Sequence, residues 1–131
     1  MSEPGQELLA WEHAEEHLRE ALNISPELSP RAVIHASYYA TFHAARACLL
    51  RVQNNAPKKH DTVMSSFGLL AKDRSETMKQ VARDFNEVRA LRRIADYSDT
   101  AVISADKASR SMELATNFLA RCAQEFSFGQ A

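Results

Sequence analysis

From Val81 to Tyr97 the chain reads VARDFNEVRALRRIADY. The stretch has no proline or glycine and is rich in strong helix formers, so it predicts a helix. Phe85, Val88 and Ala95 recur at helical spacing and mark a buried face, with Leu91 and Ile94 on its flank. Arg83, Glu87, Arg89, Arg92 and Arg93 crowd the other side. Arg92 and Asp96 stand four residues apart, as do Arg93 and Tyr97, so each pair can meet along the surface. Arg89, Arg93 and Tyr97 form one stripe with a carboxylate beside it. Two guanidiniums and a phenol suit phosphate, because an arginine fork matches its oxygens. The same spacing also suits a solvated helix tied by an Arg–Asp pair, which contributes little stability.

A single helix of this kind needs partners. The chain has 131 residues with only three glycines and four prolines, and the prolines fall outside the long periodic segments. That favours a helical protein over a turn-rich β protein. The length and the absence of a linker predict a single domain over residues 1–131. No apolar run approaches the length of a membrane span. The acidic opening MSEPGQELLAWEHAEEHL lacks the layout of a signal peptide, so a cytoplasmic location with no membrane partner is expected. Cys48 and Cys122 sit in apolar helical contexts and read as buried free thiols.

Net charge is −1, but it is unevenly spread. Residues 1–30 hold seven glutamates and one arginine, whereas residues 31–60 hold three arginines and two lysines with no acid. A near-neutral total therefore hides an acidic and a basic region, and the basic one suits a polyanion.

In chain order, residues 6–23 read as a first helix. Its apolar stripe is expected on Leu8 or Leu9, Trp11, Ala14 or Glu15, Leu18 and Leu22. Ser29 as N-cap and Pro30 at the first helical position open a second helix over about 30–52. That helix is dense in alanine, which lets neighbours approach closely and marks it as central. A short helix follows over about 61–70, with Val63, Phe67 and Leu70 inward. The helix already described covers about 76–97. Ser98-Asp99-Thr100 breaks it, and Ser104 caps a last helix over about 105–126, whose inner face is Ala108, Met112, Ala115, Phe118 or Leu119 and Cys122. The tail SFGQA is expected to fray. An all-α, antiparallel bundle of four to five helices results.

Three chemistries are conceivable on this frame. His35, Tyr39, His43 and Arg46 share a stripe of the second helix. His35 and His43, eight residues apart, are roughly 12 Å apart along the axis and cannot share one metal ion alone. His13 and His17 are four apart but have no clear third ligand, so no metal and no cofactor are expected. Ser37 lacks the turn that would expose a nucleophile. A basic patch of Arg46, Arg51, Lys58, Lys59, His60 and the Arg89/Arg92/Arg93 group converges if the second and fourth helices pack side by side.

Three motifs in order carry a family resemblance. These are SYYATFHAARA at 37–47, KKHDTV at 58–63 before a phenylalanine, and Arg-x-x-Ala-Asp-Tyr at 92–97 before a last amphipathic helix. Together they resemble a small prokaryotic HEPN domain, over about residues 5–125. The resemblance implies a helical bundle, commonly a homodimer, working with a minimal nucleotidyltransferase as the two parts of a toxin–antitoxin module. It implies binding of RNA or a nucleotide, and in many members a metal-independent RNase site of an arginine, four to six residues, then a histidine. Here Arg92 is followed after four residues by Tyr97, not histidine. A phenol is a poor base at neutral pH. Tyr97 can still donate a hydrogen bond to phosphate, and His60 or His43 would have to lend the imidazole from another helix. The expected binding residues are thus Arg92, Arg93, Asp96, Tyr97, His43, Arg46, Lys58 and Lys59, with Arg92, Tyr97 and His60 as catalytic candidates. Two alternatives stand beside RNA or nucleotide binding: a catalytically silent partner subunit, and an RNase with Tyr97 in place of histidine.

Overall fold

The computed structural model describes residues 5–97 and 103–129. Five helices follow in order: α1 Gln6–Asn23, α2 Pro30–Gln53, α3 His60–Lys72, α4 Glu76–Tyr97 and α5 Ala105–Phe126. The expected break at Ser98-Asp99-Thr100 lies outside the described residues. Each boundary has a local cause. Ser29 precedes Pro30 at the start of α2, although its side chain makes no capping bond. Asn54 ends α2 in the left-handed conformation, φ 57°, which asparagine tolerates, and its N–H donates to Leu50 O. Ser104 caps α5 by accepting from the Lys107 N–H. α3 continues to Lys72, two residues beyond the expected end, through a Gly68 that meets no neighbouring side chain.

α2 is the centre. It packs against α1, α3, α4 and α5. Its alanines Ala36, Ala40, Ala44, Ala45 and Ala47 are all buried, so neighbours approach its backbone closely. α1 answers with small residues of its own. Ala10, Ala14 and Ala21 are buried with Trp11, whereas Leu8, Leu9 and Leu22 are about half exposed. The leucine stripe expected on the first helix is therefore wrong for these three residues. Of the expected stripe, Trp11, Ala14 and, in part, Leu18 belong to the inner face.

Phe67, Phe85 and Phe118 meet ring to ring from α3, α4 and α5, with centroids 5.3–6.1 Å apart. A second, smaller cluster of Val33, Ile34, Ala95 and Ala108 joins the start of α2 to the end of α4 and the start of α5. α4 thus runs antiparallel to α2, and α5 runs alongside α2 in the same direction. Cys48 and Cys122 are both buried and unbridged, as expected. Burial, with Cys48 alongside, pushes the Cys122 thiol well above its usual range.

The tail does not fray as far as Gly129. Phe128 is 1% exposed and stacks on Trp11 with ring centroids 4.7 Å apart. Arg51 Nη1 donates to Phe126 O and Ser127 O at 2.7 and 2.8 Å. Its guanidinium lies 3.8 Å from the centre of the Phe128 ring. Arg51 therefore fastens the end of α5 and is not part of a basic patch.

Candidate functional site

The side-by-side packing of α2 and α4, with α3 across them, brings Tyr38, His60, Arg89 and Arg92 together. Tyr38 lies on the buried face of α2 and is wholly inaccessible. Its hydroxyl and His60 Nδ1 form a hydrogen bond of 2.7 Å. His60 is the first residue of α3, so the turn of chain before that helix sets the imidazole beside α2. Phe42 supports it with ring centroids 4.2 Å apart. Arg92 stacks on the same phenol, its Cζ 4.6 Å from the Tyr38 ring centre and 5.7 Å from that of Tyr39. Tyr38, which the sequence offered only as part of a motif, is thus the hinge of the site.

Arg92 is largely covered, with 19% of its side chain exposed. Its Nε lies 3.1 Å from Asp96 Oδ2 but off hydrogen-bond alignment, so the contact is ionic rather than a directed bond. Asp96 does not grip the guanidinium by its fork. It is shared with His35, whose Nε2 contacts the other carboxylate oxygen. No spacing in the sequence signals that second pair. Arg89 turns inward to α3, where it pairs with Asp61 and donates to Met64 Sδ at 3.0 Å.

This arrangement breaks the expected stripe of Arg89, Arg93 and Tyr97. Arg93 faces solvent, and Tyr97 is 77% exposed at the last residue of α4. Within one chain, Tyr97 does not join Arg92. The basic patch divides instead of converging as a whole: His60 joins Arg89 and Arg92, whereas Arg46 and Lys58 line a separate pocket. Arg46 donates from Nε to Pro57 O, on the side of α2 that meets α1 and the α2–α3 loop. Lys58 and Lys59 are exposed on that loop. His43 lies among the imidazoles of His13 and His17, with ring centroids 5.5 and 5.2 Å away. Among the described residues no group of three or more His, Cys, Asp or Glu is arranged to hold a metal ion. Ser37 is fully buried, which rules it out as an accessible nucleophile.

Electrostatics separate the two histidines and the phenol. Burial, reinforced by the guanidiniums of Arg92 and Arg89, holds His60 below its usual range. Burial pushes the Tyr38 phenol up, opposed by Arg92 and Arg89. His43 is pushed down to about 4, mainly by burial and then by His17 and His13. At neutral pH the site therefore holds a neutral imidazole, a neutral phenol and a guanidinium. No carboxylate or carbonyl among the described residues accepts a directed hydrogen bond from Arg92. Such a guanidinium can bind an anion, and the imidazole beside it can take up a proton.

No helix among the described residues is long and apolar enough to cross a membrane. Comparison with protein families matches the HEPN domain over residues 8–125. Comparison with curated proteins gave no match.

Proposed function

The chain belongs to the HEPN domain family, and on that premise we propose that it binds a phosphate group of RNA or a nucleotide at the edge formed by Arg92 and His60, backed by the buried Tyr38. It does so as one part of a toxin–antitoxin module whose other part is a minimal nucleotidyltransferase. The observation that carries the reading is the Arg92 guanidinium, its Cζ 4.6 Å from the Tyr38 ring centre and with no directed hydrogen bond to a carboxylate or carbonyl among the described residues. The ring contact holds the guanidinium in place and leaves terminal donors for a ligand, the groups by which arginine recognises phosphate. Asp96 and His35 act behind it as positioning residues. The exposed Ile94 and Tyr97 at the end of α4 suit contact with a second copy in a homodimer.

A second reading, metal-independent RNA cleavage, is favoured by the Tyr38–His60 hydrogen bond. When Nδ1–H donates to the phenol oxygen, Nε2 is left as the proton acceptor, and His60 supplies the imidazole missing at position 97.

Titration of fluorescently labelled RNA at two salt concentrations tests binding, which weakens with salt if phosphates release counterions. A flat salt response defeats the reading. RNA integrity and growth, followed on expression with and without a co-expressed minimal nucleotidyltransferase, separate the two readings. If His60→Gln abolishes cleavage and spares binding, the site is catalytic. If intact RNA persists with the unaltered protein, binding alone remains.

A further inference from the structure

α1, α2 and the α2–α3 loop line an open pocket of about 350 Å³. Its polar lining is Gln6, His13, Arg46, Asn55 and Lys58, and no carboxylate lines it among the described residues. Leu9 and Leu50 supply an apolar side.

Arg46 is the unusual member. Its Nε donates to Pro57 O at 3.1 Å, which anchors the guanidinium and, through the next peptide, sets the position of Lys58. No acidic group pairs with Arg46 or Lys58 among the described residues. Arg74, Arg89, Arg92 and Arg110 each have a carboxylate partner. A partly buried guanidinium oriented by a backbone carbonyl, and facing a cavity in which no described residue supplies a counter-charge, is a ready acceptor of an anion. Two amides stand beside it as neutral donors. The volume falls at the low end of small-molecule sites, larger than a bare phosphate needs. The apolar side then suits a sugar or base.

We infer that this pocket binds a phosphomonoester, either a free nucleoside monophosphate or the 5′-phosphorylated end of an RNA chain. The site is separate from the Arg92 edge and does not depend on that edge binding RNA. The chain links the two: Lys58 lines the pocket, and His60, two residues on, lines the other site.

The test is amide NMR on the full chain titrated with adenosine monophosphate, with inorganic phosphate, and with a short RNA carrying a 5′-phosphate or a 5′-hydroxyl. Binding should shift the signals of Gln6, His13, Asn55 and Lys58. Lys58→Ala, at an exposed position, should weaken adenosine monophosphate about tenfold, the worth of one charged hydrogen bond. Arg46→Gln should weaken it at least as much, with its melting temperature checked because the Pro57 contact is also lost. Tighter binding of the phosphorylated RNA than of the monophosphate identifies an RNA end; equal binding identifies a free nucleotide. Shifts gathered at Tyr38, His60 and Arg92, unchanged affinity in Lys58→Ala, or no binding by the unaltered chain would each overturn the inference. Failure of the RNA reading alone leaves the shifts with adenosine monophosphate in place.

Discussion

Two arginines lie on aromatic rings at opposite ends of α2. At the C-terminal end, Arg51 covers Phe128 and donates to two carbonyls at the end of α5. Nearer the N-terminal end, Arg92 lies over Tyr38 and, among the described residues, has a misaligned ionic contact with Asp96 in place of bonds to backbone carbonyls. The stacking is alike and the hydrogen bonding is not. A guanidinium whose donors are taken by backbone carbonyls serves the fold. One fixed in place with donors to spare is free to serve a ligand, because an anion then costs no internal bond.

The largest effect expected from this contrast lies at the Arg51 end. Phe128→Ala removes a buried ring stacked on Trp11 and should lower stability by about 3 kcal/mol. Urea denaturation measures it, and RNA affinity per folded molecule should stay unchanged. A loss near zero would mean that the tail does not close on Trp11 in solution.

A matched pair of substitutions sharpens the comparison. Arg51→Met should cost about 2 kcal/mol, from two hydrogen bonds to a charged donor and the ring contact. Arg92→Met should cost about 1 kcal/mol or less in stability, because Asp96 keeps His35 as partner. Its RNA affinity should fall about tenfold or more. Equal stability losses with equal affinities would make Arg92 a second fastening.

Acid should act where imidazoles are buried. The native His43 takes up its proton only near pH 4. The unfolded chain takes it up near the ordinary value of about 6.5. Between those limits the unfolded state binds more protons, so stability falls as pH is lowered from about 6.5 toward 4. His60, also held low, adds in the same direction. His43→Asn should flatten this slope, read from denaturation midpoints across the window. An unchanged slope would assign the acid sensitivity to other groups.

Much of the fold was legible because its signals are local. Pro30, Asn54 and Ser104 mark helix ends by their own backbone chemistry, and the period of Phe85, Val88 and Ala95 marks the inner face of α4. The face of α1 was misread because leucine is the usual core residue. Here the alanine surface of α2 draws α1 in through Ala10, Ala14 and Ala21 and leaves leucines outside. Phe128 pairs with Trp11, far away in sequence, and nothing near either residue signals it. The site divides in the same way. Arg92 with Asp96 is a spacing, and the sequence shows it. Tyr38 with His60, and His35 with Asp96, depend on how three helices pack, and no spacing along one helix encodes them.

The smallest expected effect is at Tyr97, and it bears on the comparison from outside. The side chain is 77% exposed at the end of α4, so Tyr97→Phe should change stability by less than about 0.5 kcal/mol. Its hydroxyl has no partner among the described residues, and the helix carries it away from the Arg92 stack. If Arg92, Tyr38 and His60 make the whole site within one chain, Tyr97→Phe should leave RNA affinity within about twofold of the original, under half a kcal/mol. If a second copy brings its own Tyr97 to the Arg92 edge, the lost hydroxyl should weaken binding by about fivefold, one neutral hydrogen bond. RNA titration below and above the concentration at which light scattering reports a dimer distinguishes these. A deficit that grows with dimer formation assigns Tyr97 to the partner's half of the site. A twofold-or-smaller change at every concentration leaves the site to Arg92 and the two rings beside it.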